Sequence, residues 1–182
     1  MAGSAVQVRP MSFEEYLALP DRAEYVGGAA LMTPAPTYRH QKICQRLTRL
    51  LEDAAGGQLD VVAGVGWESA PGARVRVPDL MVLAGPPPGD RVTEPPVVVV
   101  EVLSGNRADD LVRKATEYLQ SGAGQYWIVD PRDEAMDVYV RDEVWSLVAH
   151  LDRENPAATV QVPHDIGGIR VELDLAVILA GR

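Results

Sequence analysis

Asp79, Glu101 and Lys114 are of the residue types that phosphoryl chemistry uses. A pair of carboxylates can share a hard divalent cation, which takes oxygen ligands in octahedral geometry and keeps waters, one of which can attack a phosphodiester. Asp79 follows Pro78 inside an apolar, β-branched run from Val75 to Leu83, and Glu101 stands near the end of a second run from Val97 to Leu103. If these runs are neighbouring strands, both acids share one edge of a sheet. The plainer reading is that Asp79 caps a turn and Glu101 marks where a buried strand reaches water. Lys114 shifts the balance. It comes three residues after Leu111 and four before Tyr118, so on a helix it borders the buried stripe. Of the 17 basic residues only Lys42 and Lys114 are lysine. A lysine at this place suits a need for a compact ammonium that polarises a water or stabilises a pentavalent phosphate. A lysine snorkelling at a helix border is the competing explanation.

Such side chains need elements to hold them. Ser12-Phe13-Glu14-Glu15 reads as a capping box and predicts a short helix over 13–19, ended by Pro20-Asp21. Ala23 to Val26 and Ala29 to Met32 flank Gly27-Gly28, which predicts a hairpin. Ile43, Leu47, Leu50, Leu51 and Ala54 recur at helical spacing until Gly56-Gly57. Leu59 to Val65 and Val75 to Leu83 read as an antiparallel pair with a turn around Pro71-Gly72. The run Val97 to Leu103 lacks alternation, as expected for a central strand buried on both faces. A helix follows over Asp109 to Ser121, then strands over Tyr126 to Val129, Met136 to Val140 and Val144 to Ala149. Residues 157–180 are ambiguous, a strand and then a short terminal helix being one reading.

With 182 residues, 47% of them hydrophobic, the chain can bury a substantial core. One domain over 1–182 is expected, with 1–10 as a loose leading segment. The single cysteine, Cys44, excludes an intramolecular disulfide framework, and no basic stretch followed by an apolar one opens the chain. Apolar runs such as Pro95 to Val100 fall far short of the roughly 20 residues a membrane helix requires. A cytoplasmic protein without a membrane span is expected. The net charge of -9 repels phosphate at long range, so a nucleic-acid partner needs a local basic patch. Arg39, Lys42, Arg46 and Arg49 form one stripe along the second helix, either contacting phosphate or acting as a solvated flank. His40 and Cys44, four residues apart, make a thiol–imidazole pair conceivable, but no third orienting group is visible and a helical cysteine is ordinarily a small core residue. Tyr126, Trp127 and Trp145 lie in β-forming runs, where packing rather than base stacking is expected. Walker loops, dinucleotide-binding glycine fingerprints, GxSxG elbows and zinc-ligand spacings are absent.

A set of ordered motifs carries a family resemblance. They are Met11 to Leu17, Glu24 followed by Gly28, Pro34-Ala35-Pro36 with His40, Pro78-Asp79-Leu80, Val100-Glu101-Val102-Leu103-Ser104, and Lys114 through Tyr118 to Tyr126-Trp127-Ile128-Val129-Asp130-Pro131. Over about residues 11–178 the chain resembles the bacterial Uma-two family, domain of unknown function 820. The resemblance implies an α/β restriction-endonuclease-like fold, a mixed central sheet flanked by helices, with a PD-(D/E)XK nuclease site. Asp79 matches the aspartate of the PD motif and Glu101 the acid of the second motif. Leu103 stands where that motif usually has its lysine, and the resemblance implies that Lys114 takes over the role. Glu24 resembles an additional acid of an early element that would complete the metal shell, while the next acid of the family pattern is Gly27 here.

The expected function is therefore phosphodiester hydrolysis of nucleic acid, DNA in preference to RNA, dependent on Mg²⁺ or Mn²⁺. Asp79 and Glu101 would hold the metal, Glu24 would assist, and Lys114 would orient water or stabilise charge, in a homodimer or larger homo-oligomer. The lysine missing from the strand, Gly27 and the charge of -9 favour a rival, a nuclease-fold module that binds or regulates without cutting. Hydrolysis of a smaller phosphate ester by the same site is a third reading.

Overall fold

The computed structural model describes residues 6–19, 23–104, 108–164 and 167–180. Pro20 and Asp21, expected to end the first helix, lie outside the described residues. Within the leading segment, Gln7–Pro10 forms a strand, β1, although a loose segment was expected there. Helix α1 (Phe13–Leu17) starts at the expected capping box: Ser12 Oγ accepts from the Glu15 amide and Glu15 Oε2 from the Ser12 amide. Strands β2 (Glu24–Val26) and β3 (Ala29–Met32) form the hairpin. Gly27 and Gly28 have φ of 59° and 82°, the positive values that a two-residue turn of this kind requires at both central positions. Helix α2 (Tyr38–Ala55) ends at Gly56 in the left-handed conformation.

The run from Val75 to Leu83 is not one strand. It divides into β6 (Arg74–Arg76) and β7 (Leu80–Leu83), which belong to different sheets. Pro78, with no N–H to give a ladder, stands in the break. The Pro71-Gly72 turn joins β5 (Trp67–Ala70) to β6, whereas β4 (Asp60–Ala63) pairs antiparallel with β7 as expected. Next come β8 (Val98–Val102), α3 (Ala108–Gln120), β9 (Gln125–Asp130), β10 (Ala135–Arg141) and β11 (Trp145–Leu151). Residues 157–180 hold two strands, β12 (Ala157–Val162) and β13 (Ile169–Asp174), before the short helix α4 (Leu175–Leu179). In β13 each apolar residue is buried and each polar one exposed, the alternation of a sheet with one wet face.

A five-stranded sheet has the order β1-β3-β2-β6-β5 and a six-stranded sheet the order β11-β10-β9-β8-β7-β4. The second is mixed: β8 runs antiparallel to β7 and parallel to β9, and all five of its residues are buried. Gly124 lets β9 start close beside β8, since a Cβ there would lie 2.7 Å from the Val97 carbonyl oxygen. One face of this sheet carries Val98, Val100, Val102, Trp127, Met136 and Val138 and packs on α2, β12, β13 and α4. The other carries Met81, Leu83, Val99 and Tyr126 and packs on Trp67 and Tyr118 of β5 and α3. Tyr126 and Trp127 are fully buried, and the Trp145 indole donates to the Ala115 carbonyl at 2.7 Å, so packing is their role. Among the described residues no helix is long and apolar enough to cross a membrane.

Candidate active site

In the β7–β8 ladder Leu80 faces Val100. One step further, Asp79 stands opposite Glu101, and cross-strand partners project from the same face of a sheet. The break at Pro78 leaves Asp79 outside the ladder, so its carboxylate turns to the end of β8. There Oδ2 accepts from the Val102 amide at 2.8 Å and from His40 Nε2 at 3.1 Å. Glu101 Oε1 accepts from Lys114 Nζ at 3.0 Å and from the Tyr118 hydroxyl at 2.7 Å. Lys114, Glu117 and Tyr118 fall at i, i+3 and i+4 on α3, which puts them on one helix face. The packing of that face on the sheet delivers the ammonium to Glu101.

Glu24, on β2, joins the cluster from the other sheet. Its Oε1 lies 3.4 Å from Lys114 Nζ and accepts from the Val77 amide at 3.3 Å, while Oε2 accepts from Arg76 Nη1 at 2.7 Å. Arg76 has no exposed surface and also donates through Nε to Glu117 Oε2 at 2.8 Å. Both Glu24 oxygens are thus engaged. Glu24 holds Arg76 and Lys114.

Burial pushes Glu101 up to about 7; Lys114 opposes that shift, the charges of Asp79 and Glu24 add to it, and the Tyr118 hydrogen bond opposes it. Tyr118 is itself pushed well above the ordinary phenol range by burial and by the Glu101 charge, so it remains a donor at neutral pH. Burial pulls the His40 imidazole down, but its hydrogen bonds to Asp79 and Cys44 and the Asp79 charge outweigh that and hold it up at about 10. His40 is then a cation that clamps Asp79.

His40, Cys44 and Asp79 offer ligand atoms that lie within 4.8 Å of one another. The imidazole stands between the other two, with Nδ1 3.6 Å from Cys44 Sγ and Nε2 on Asp79. Each of its nitrogens already faces a partner, so a metal here would have to displace one of these contacts. Asp79 is the third group that the thiol–imidazole pair lacked in the sequence, yet Cys44 is buried and packs among core residues.

The donors near Glu101 are of the kind a hard cation takes. Among the described residues no hydrogen bond reaches Asp79 Oδ1 or Glu101 Oε2, which leaves one oxygen of each carboxylate as a possible ligand for an oxygen-seeking ion. Asp79, Glu101 and Lys114 are therefore brought together, and Glu24 adjoins them through Lys114. The basic stripe is not. The face of α2 that carries His40, Ile43, Cys44, Leu47 and Leu51 is buried, and Arg39, Lys42, Arg46 and Arg49 line a different flank. Lys42 donates to Gln45 at 2.8 Å and Arg46 reaches the Ile178 carbonyl on α4 at 3.5 Å.

Tyr118, Glu117 and Arg76 are additions of the structure, as is the contact of His40 with Asp79. Tyr118 and Glu117 had a signal in the sequence, the helix face they share with Lys114, but a tyrosine there reads as core. For Arg76 there was none, because no local pattern tells which arginine of a chain rich in them will be buried.

No curated protein matches the chain. The fold is similar to that of a putative nuclease belonging to DUF820 from Anabaena variabilis ATCC 29413, known from a crystal structure, with a TM-score of 0.74 and 19% identity over 93% of this chain and 98% of that one. Residues 13–176 match the family described as Uma2, putative restriction endonuclease, and the chain belongs to that family.

Proposed function

We propose that the chain is a nuclease that hydrolyses phosphodiester bonds with Mg²⁺ or Mn²⁺ held by Asp79 and Glu101. The observation that carries this reading is the pair of facing carboxylates, each with one oxygen left over, beside an ammonium already hydrogen-bonded to one of them. When bound, the ion would supply Lewis acidity and an activated water. The chain's own residues set the stage. His40 and the Val102 amide fix Asp79 by Oδ2 and so aim Oδ1. Tyr118 and Lys114 hold Glu101 by Oε1 and leave Oε2. Glu24 and Glu101 keep Lys114 where it can stabilise charge that develops on a phosphoryl oxygen. DNA is the expected polymer, on the strength of the family's description as restriction endonucleases.

Plasmid nicking with Mg²⁺ or Mn²⁺, with Asp79→Asn as the dead control, tests the reading, together with calorimetric titration of Mn²⁺. Metal binding and nicking that both disappear in Asp79→Asn support it. A second reading, a nuclease-fold module that binds without cutting, is favoured by one observation: Arg76, Glu24, Glu117 and Lys114 form their ion pairs without a metal. Absence of both Mn²⁺ binding and nicking would favour that module. Cleavage of a small phosphodiester but of no polymer would move the substrate class to smaller esters.

A further inference from the structure

A cavity of about 680 Å³ opens among the start of α2, the α4 helix and the turns that flank β10 and β11, within the range of ~300–1,000 Å³ typical of small-molecule sites. Leu175 and Leu179 of α4 give it an aliphatic side. Tyr38, 78% exposed, and Arg39 form one wall, and Glu134 and Arg153, paired at 2.7 Å, form another.

Its position follows from the topology. Because β8 and β9 are parallel, Glu101 near the end of β8 and Asp130 at the end of β9 lie toward the same end of the sheet, and the turn after Asp130 carries Glu134. Tyr38 and Arg39 share the first turn of α2 with His40, whose Nε2 lies 3.1 Å from Asp79. The cavity, on the α2 and α4 face, and Glu101, on the α3 face, therefore lie toward one end of the sheet, and the first turn of α2 joins the cavity to Asp79.

Glu134 is the one non-glycine residue with positive φ, 52°, among those described. Glycine or asparagine takes that conformation with less strain. The chain has a carboxylate there instead. Its Oε2 accepts from Arg153, and Oε1 accepts no hydrogen bond among the described residues. An acceptor-only oxygen beside an exposed aromatic ring and an arginine matches the three parts of a nucleotide: a base edge with an amino group, a flat base, and a phosphate.

We propose that this cavity receives an unpaired nucleobase of the strand being cut, with its face on Tyr38, its exocyclic amino group at Glu134 and the adjoining phosphate at Arg39. The proposal rests on the nuclease reading and narrows its substrate to single-stranded or locally opened nucleic acid. It selects cytosine, adenine or guanine over thymine, which has no exocyclic amino group for Glu134 to accept from.

The test uses the full chain carrying Asp79→Asn, so that nothing is cut, and a thymine oligonucleotide with one 2-aminopurine, whose emission falls when the base stacks on an aromatic ring. Binding should quench the emission. Tyr38→Leu should abolish the quench and weaken binding roughly ten-fold, the scale of losing one base–aromatic stack, while Tyr38→Phe keeps both. Glu134→Gln should reduce the preference for a cytosine over a thymine oligonucleotide. Tyr38 is exposed, so the Leu variant should keep its circular dichroism spectrum and melting temperature. If Tyr38→Leu binds and quenches like its parent, the base subsite is wrong while the nuclease reading stands on plasmid nicking. If the protein with Asp79 intact neither binds nor cuts single-stranded or duplex nucleic acid, the nuclease reading fails and the subsite with it.

Discussion

Along β8, Val98, Val100 and Val102 point to the face covered by α2, β12 and β13, while Val99 and Glu101 point to the face covered by α3 and the five-stranded sheet. The first face is apolar throughout. On the second, Glu24, Glu101, Glu117, Arg76 and Lys114 are all buried within one network. An apolar layer loses stability in proportion to the atoms removed, whereas a desolvated charge network fails when any member is left without its partner. The same strand thus supplies a tolerant face and a brittle one, and Glu101 and Lys114 sit on the brittle one.

The largest expected effect tests that brittleness. Arg76→Met should cost about 3–5 kcal/mol by urea denaturation, because Glu24 and Glu117 would stay buried without their cation. Adding Glu24→Gln and Glu117→Gln should recover a large part. A loss no greater than that of a small core deletion would erase the contrast between the faces.

Lys114→Met keeps most of the stem and removes the charge. Metal-dependent nicking per folded molecule should fall by a factor of roughly 100 or more, which corresponds to about 2.7 kcal/mol of barrier. Lys114→Arg should rescue poorly, since a planar guanidinium does not fit the place of a compact ammonium between Glu24 and Glu101. Equal nicking by Lys114→Met would remove the residue from the chemistry.

On the apolar face, Ile43→Val should cost about 0.5–1.5 kcal/mol and leave the rate per folded molecule unchanged. A changed rate would show that the two faces are coupled through the sheet.

The smallest effect concerns an exposed acid–base pair of the six-stranded sheet, His150 on β11 across from Asp137 on β10. The hydrogen bond to Asp137 raises the His150 value above its ordinary 6.5. Its contribution to stability is present below about 6.5 and is lost as pH rises through the folded value. An NMR titration should place the midpoint above that of Asp137→Asn. Equal midpoints would show that the pair is not formed in solution.

Elements with local signals were legible from the residues: the capping box, the Gly27-Gly28 hairpin, the stripe of α2 and the unalternating strand β8. The division of Val75 to Leu83 was not, because membership of one sheet or another is decided by distant partners, and only Pro78 hinted at a break. The second strand of 157–180 was missed although β13 alternates cleanly. At the site, residue types and the family resemblance drew attention to Asp79, Glu101 and Lys114, and the fold sets these side by side. That Glu24 turns to Arg76, and His40 to Asp79, depends on how the two sheets and α2 meet, which no window of sequence contains. Arg46 shows the reverse limit. A stripe of cations looked like one surface, and one of its members reaches the α4 backbone instead.

The hand-over of the chain from the five-stranded to the six-stranded sheet at Pro78 has a consequence for how this family can change with descent. Glu24, Arg76, Glu117 and Lys114 tie the five-stranded sheet to α3 by charge, so a descendant without the proposed cutting would still need them to stay folded. Asp79 is different: its side chain is 24% exposed and belongs to no such buried tie. Keeping the four tying charges while replacing Asp79 is therefore the expected signature of a relative that has lost the chemistry and kept the fold.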